Sequence, residues 1–165
     1  MRIPPNPDIP EVHPYHFSLQ SSGRRSLLSS EECFFTLPLL RRFRNVMSVE
    51  SNPTSARFAR WNLKDAGFDA AAVNVENVAN WFNSVSTSHV DFILLDPPRM
   101  GAESDVIRGI LDLHPLRISY VSCDPATLAR DLKKLVAGGY LVQSLNAFDL
   151  FPQTHHVETV VHLRL

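Results

Sequence analysis

The 165-residue sequence predicts an α/β domain, a doubly wound, mostly parallel sheet with a C-terminal antiparallel edge hairpin. Three observations lead there. From residue 46 onward, strand-like and helix-like stretches alternate, the order that builds a parallel sheet. Residues 90–95 are almost wholly apolar and stop at Asp96-Pro97-Pro98, as a strand buried on both faces does. Residues 140–148 and 157–165 are β-rich and close the chain with no obvious helix between them.

Residues 1–24 read as an irregular or disordered leader, because five of the twelve prolines fall there and no hydrophobic period shows. Residues 25–165 form the expected domain. Residues 46–50 are a short apolar run ending in an acid, the first strand of the pattern. Asn52-Pro53 then opens a helix, with a capping side chain followed by proline in the first turn. Ala56, Ala59, Leu63 and Ala66 keep one apolar stripe and Gly67 ends it. Residues 70–75 read as a strand and 78–82 as a weak helix or turn. Val106, Ile107, Ile110, Leu111 and Leu113 follow helical spacing, and residues 118–121 form the next strand. Pro125 opens another helix with Leu128, Leu132, Leu135 and Val136 on its inner face, and Gly138-Gly139 as its stop.

Bulk composition narrows the function classes. The chain is 44% hydrophobic and 20% charged, ordinary for a soluble globular domain. A net charge of -1 gives no general attraction to nucleic acid, so RNA binding needs a local patch. Arg24, Arg25, Arg41, Arg42 and Arg44 offer one, although such a run is also what an ordinary solvated face looks like. Two cysteines, Cys33 and Cys123, are too few for a disulfide framework and point to a reducing cytoplasm. No apolar stretch is long enough to span a membrane, and prolines stand where a signal peptide needs its apolar core. A monomer is expected.

The chemistry-bearing residues sit at predicted strand ends, where ligands bind in an open α/β sheet. Glu50 ends one strand and is placed to accept hydrogen bonds from ribose hydroxyls; the plainer reading is an exposed strand-end carboxylate. Asp96-Pro97-Pro98-Arg99 is a stiff acidic turn, because two prolines fix the backbone and remove two donors, leaving its carbonyls to accept. Cys123 follows a strand and precedes a helix, whose dipole favours the thiolate form. Asp124, the expected cap of that helix, partly opposes this effect. Glu158 lies 35 residues beyond Cys123. His156 and Glu158 would share a strand face, but a metal site needs a third or fourth ligand, and none stands at a recognisable spacing. A general base near the thiol is the better reading of Glu158.

These segments resemble the RNA uracil-C5 methyltransferases of the TrmA/RlmD type, which make 5-methyluridine. The resemblance runs from about Phe34 to the C-terminus. One signature is matched by Asp96-Pro97-Pro98-Arg99-Met100-Gly101 and by Ile118-Ser119-Tyr120-Val121-Ser122-Cys123-Asp124-Pro125-Ala126-Thr127. Ser119 stands where an aliphatic residue is usual, and Asp124 where asparagine is usual. The second signature is matched by Phe148-Asp149-Leu150-Phe151-Pro152-Gln153-Thr154-His155-His156-Val157-Glu158. Adenine-N6 methyltransferases use a similar proline turn followed by a stacking aromatic residue, but Arg99 occupies that place here.

The resemblance implies a Rossmann-like, S-adenosylmethionine-dependent methyltransferase acting on carbon 5 of uridine in tRNA or rRNA. It implies Cys123 as the nucleophile that adds to carbon 6, and Glu158 as the base that removes the carbon-5 proton. Glu50, Asn77, Asp96 and Phe34 become cofactor-binding residues: Glu50 at the ribose, Asn77 near the adenine, and Asp96 positioning the cofactor or the uracil. No metal or iron–sulfur cluster is expected in this chain.

Two departures accompany it. Family members carry a loop of the form Asp-Leu-aromatic-(Cys/Ser)-Gly-x-Gly before Phe-Thr-Leu-Pro-Leu, and this chain does have Phe35-Thr36-Leu37-Pro38-Leu39. Aligned back from there, Leu27 stands for the aspartate, and Glu31 and Cys33 for the glycines, so the loop across Ser29 to Phe35 has no glycine. Glycines let a backbone turn sharply and approach a cofactor, so weakened cofactor binding is expected. The family's RNA-binding OB-type domain and its central domain are expected to be absent, and Phe17-Ser18-Leu19-Gln20 only faintly resembles its glutamine motif. The alternative reading is a catalytically impaired or truncated remnant that keeps the fold and has lost the cofactor loop.

Overall fold

The computed structural model describes residues 25–30, 35–43, 45–84, 90–150, 152–153 and 157–165, with 25–30 described as backbone. Residues 1–24, 31–34, 44, 85–89, 151 and 154–156 lie outside this set. The described residues form one seven-stranded sheet with helices on both faces.

The strands and helices follow in the order β1 (Arg25–Ser30), α1 (Thr36–Leu40), β2 (Asn45–Glu50), α2 (Pro53–Asp65), β3 (Val73–Val75), α3 (Val78–Ser84), β4 (Phe92–Asp96), α4 (Ser104–Leu113), β5 (Arg117–Ser122), α5 (Pro125–Ala137), β6 (Leu141–Phe148) and β7 (Glu158–Arg164). Across the sheet they lie β3-β2-β1-β4-β5-β7-β6. The first five strands are mutually parallel, while β7 runs antiparallel to both β5 and β6. The hairpin expected at one edge is therefore present, with its second strand inserted next to β5.

β4 shows why its sequence is apolar throughout. Ile93 and Leu95 face a core built with Val106, Ile107 and Ile110 of α4 and Leu128 and Leu135 of α5. Phe92 and Leu94 face the other way, against Phe35, Leu39, Phe43 and Val121. Phe43 stacks on Phe92 with ring centroids 5.5 Å apart. A third cluster seats Ala56, Ala59 and Leu63 of α2 on Val73, beside Leu37 and Leu40 of α1.

Local signals set the helix ends. The Asn52 side chain accepts from the backbone N–H groups of Thr54 and Ser55, and Asp124 does the same for Ala126 and Thr127. Gly67, with φ +78°, takes the left-handed conformation that lets the chain leave α2.

Several expectations are corrected. β1 and the short α1 were not predicted, although β1 is the strand between β2 and β4. Ser29 and Ser30, expected in the loop, instead pair with Val49 and Asp96 inside the sheet. Residues 70–75 are not one strand; Ala70–Ala72 is a 3-10 turn and only Val73–Val75 pairs. Ala66 is the exposed C-cap of α2 rather than part of its stripe. Val136 is exposed, and the inner face of α5 carries Asp131 between Leu128 and Leu135.

Candidate active site

Parallel strands bring their carboxyl ends to one edge. β2 delivers Glu50, β4 delivers Asp96 and β5 delivers Cys123 immediately after Ser122. β7 runs the other way, so its first residue, Glu158, reaches the same edge. The strand order reverses direction between β1 and β4, which is where open α/β sheets form their ligand crevice. Ser30, the last residue of β1, pairs with Asp96. Glu50 and Asp96 thus flank one strand, about 10 Å apart by strand spacing.

Glu50 is buried, not exposed as its plainer reading required, and its Oε1 accepts the Asn52 N–H at 2.7 Å. Its carbonyl accepts the Glu76 N–H at 3.1 Å, which ties the end of β3 to the end of β2. One residue on, Asn77 caps α3: its Oδ1 accepts the Asn80 N–H at 3.1 Å, and the residue is exposed. Asn77 and Asp96 line one open cleft of about 120 Å³ together with Ser51, Pro97, Pro98 and Val106. The Asp96 carboxylate is an acceptor suited to hydroxyls or an amine, the exposed Asn77 amide can still donate, and the buried Glu50 carboxylate lies next to Ser51 in the chain. Phe34 lies outside the described residues.

Cys123 is a half-buried free thiol in the turn between β5 and α5. Ser122 shapes that turn, its Oγ accepting from the Asp124 N–H at 3.2 Å and donating to the Asp124 carbonyl at 3.0 Å. The N–H groups of Thr127 and Ala126 hold the Asp124 carboxyl below the usual carboxylate range, as expected for a helix cap. Glu158 is half-buried. β5 pairs Ser122 with Thr159, the chain neighbours of Cys123 and Glu158, so both residues lie at the same end of the β5–β7 ladder. The cleft at Asn77 and Asp96 does not include this pair.

The proline turn is held from behind. The Pro98 carbonyl accepts the Gly101 N–H at 2.8 Å. The Arg99 carbonyl accepts from Thr127 Oγ1 at 3.0 Å, and the Met100 carbonyl from Arg130 Nη2 at 2.9 Å. Sequence reasoning missed Tyr120, Arg130 and Asp131 in this network. An acid within the apolar stripe of α5 was the signal that pointed to them. Among the described residues, no three His, Cys, Asp or Glu side chains converge as metal ligands. None of their helices is long and apolar enough to cross a membrane.

The profile of the tRNA (Uracil-5-)-methyltransferase family matches residues 26–165. The chain belongs to that family. An uncharacterized RNA methyltransferase of Gloeobacter violaceus is 43% identical over 129 residues, covering 78% of this chain and 27% of that protein. The 23S rRNA (uracil(1939)-C(5))-methyltransferase of Shewanella sediminis is 37% identical over 132 residues, 79% of this chain and 30% of that one. The crystal structure of the Pyrococcus abyssi tRNA (uracil-54, C5)-methyltransferase in complex with S-adenosyl-L-homocysteine superposes with a TM-score of 0.74 at 33% identity, over 87% of this chain and 34% of that one. The fold is that of the Rossmann-like S-adenosylmethionine-dependent methyltransferases. The chain spans little more than a quarter of the length of these curated relatives.

Proposed function

We propose that this chain is the catalytic part of an RNA uracil-C5 methyltransferase, with Cys123 as nucleophile and Glu158 as base. The observation that supports the reading is the β5–β7 register, which pairs Ser122 with Thr159 and so leaves Cys123 and Glu158 at one end of that ladder. Residues directly opposite in an antiparallel pair, as Ser122 and Thr159 are, lie about 5 Å apart at Cα, so Cys123 and Glu158 start from neighbouring backbone positions.

The Cys123 thiolate adds to carbon 6 of a uracil turned out of its stack, which makes carbon 5 nucleophilic. S-adenosylmethionine, when bound, supplies an electrophilic methyl group to that carbon. Glu158 then takes the proton from carbon 5, and the electron pair left behind expels the Cys123 sulfur. Glu50 serves the ribose, Asn77 the adenine, and Asp96 the methyl donor or the uracil; the cleft that Asn77 and Asp96 share supports the last two assignments. Phe34 is assigned to the same cofactor by resemblance. The substrate is tRNA or rRNA.

Transfer of labelled methyl groups from S-adenosylmethionine to unmodified tRNA and rRNA, with Cys123→Ala as control, tests the reading. Incorporation at carbon 5 of uridine is expected, and incorporation no higher than the control sinks it. The alternative, a remnant without its cofactor loop, turns on residues 31–34, which lie outside the described set; nothing among the described residues favours it.

A further inference from the structure

The described active-site geometry leaves one buried ion unused. Asp131 is wholly buried on the core face of α5, where an apolar residue would pack without the cost of removing a charge from water. Its two oxygens are fully engaged. Oδ2 accepts the Tyr120 hydroxyl at 2.7 Å and the Ala102 N–H at 2.8 Å, and Oδ1 accepts Arg130 Nε at 2.9 Å. Arg130 in turn donates through Nη2 to the Met100 carbonyl at 2.9 Å and the Ala102 carbonyl at 3.4 Å. Gly101, at φ +77°, lies so close that a Cβ there would come within 2.5 Å of Arg130 Nη2 and 2.6 Å of Asp131 Oδ2. A flexible acid at the surface makes no such set of contacts.

These contacts join two pieces of chain that do different work. The loop of Met100, Gly101 and Ala102 continues from Asp96-Pro97-Pro98, and Gly101 and Ala102 themselves line the cleft. Tyr120 lies on β5, three residues before Cys123, and Asp131 on the helix that Cys123 precedes. We propose that Asp131, acting through Arg130 and Tyr120, is a positioning group that locks the Asp96 loop to the Cys123 turn. The cleft and the nucleophile then move as one body. This rests on the roles assigned above to Asp96 and Cys123. A fixed mutual geometry matters because a displacement of about 1 Å between reacting groups can cost on the order of a hundredfold in rate.

Hydrogen exchange followed by mass spectrometry on the chain and on its Asp131→Asn and Tyr120→Phe variants tests this. Asparagine keeps the size and one acceptor but turns an N–H₂ toward either Arg130 or Ala102; phenylalanine keeps the packing and removes one donor. Amides of residues 99–103 and of 123–127 should exchange at least about tenfold faster together, the scale of losing a hydrogen bond to a charged group. Strands β2 and β4 should keep their protection. In the methyl-transfer assay, kcat should fall while KM for RNA stays within about twofold of wild type, the pattern of a lost transition-state geometry. A uniform loss of protection across the sheet would make Asp131 a general stabiliser and overturn the proposal, as would unchanged exchange in both segments. If the wild-type chain transfers no methyl group, the reading of the reaction fails, and the exchange data still decide the coupling.

Discussion

Cys123 follows the last β5–β7 pair, and Glu158 is the first residue of β7, paired with Phe148 of β6. The Ser122 and Asp124 turn holds the thiol at the start of α5. Removing the sulfur in Cys123→Ala should abolish methyl transfer outright. Glu158→Gln should slow turnover by about 10²–10⁴-fold, the usual share of a general base. It should also leave protein joined to RNA, visible as a slow-moving band on a denaturing gel. The same band should be missing when Cys123→Ala is added. Asp124 makes a separate, pH-dependent prediction. Its folded-state value is held below the ordinary one, so the stability it adds is present above about pH 4 and is lost as pH falls through the folded value. Asn is as good a cap, so Asp124→Asn should flatten the acid limb of the Tm-against-pH curve while leaving Tm near neutrality almost unchanged.

The elements differ in how far their own residues specify them. α2 is set locally: Asn52 and Pro53 start it, and Ala56, Ala59 and Leu63 bury one side. Asn52→Ala should therefore lower stability by about 1 kcal/mol, read as a lower urea midpoint at unchanged m-value. The loop after β4 is set by its neighbours instead. Gly101 occupies a left-handed backbone conformation against the Arg130 and Asp131 side chains, so Gly101→Ala should cost on the order of 1–3 kcal/mol from backbone strain and overpacking. The antiparallel pair β5–β7 carries a further polar contact, Ser119 Oγ to His162 Nδ1 at 2.7 Å. Burial lowers the His162 value below its ordinary one. The neutral ring is thus favoured in the fold, and this contribution is lost as pH drops below about 6.5.

At the scale of the molecule, the sheet is a frame that gathers distant residues along one edge. Glu50, Asn77, Asp96, Cys123 and Glu158 come from five different places in the chain, and the parallel register brings the first four there. The frame depends on the core between the sheet and α4 and α5. Ile110 is fully buried at its centre, and Ile110→Ala should cost about 2–5 kcal/mol in denaturant unfolding. Because the chain spans only about a quarter of its curated relatives, the activity test belongs both to this chain alone and to this chain supplied with the remainder of such a relative.

Much of this was written locally. The alternation of runs announced a doubly wound sheet, the apolar stretch at β4 announced a strand buried on both faces, and Asn52 and Asp124 announced helix starts. Each is a short-range effect of pattern or capping, readable from a few neighbouring residues. Two signatures, around Asp96 to Thr127 and Phe148 to Glu158, carried the family. Other features depended on partners far along the chain. β1 was hidden because Arg25–Ser30 has weak strand character of its own and gains its place by pairing with β2 and β4 on either side. The burial of Glu50, the meeting of Asn77 with Asp96 in one cleft, and the Asp131 network between α5 and the Asp96 loop are contacts between distant segments. Sequence by itself determined which chemical groups the chain carries and which family it belongs to. Tertiary structure alone decided which of those groups share an edge and what holds them there, because long-range packing and hydrogen bonds, not local preference, set that geometry.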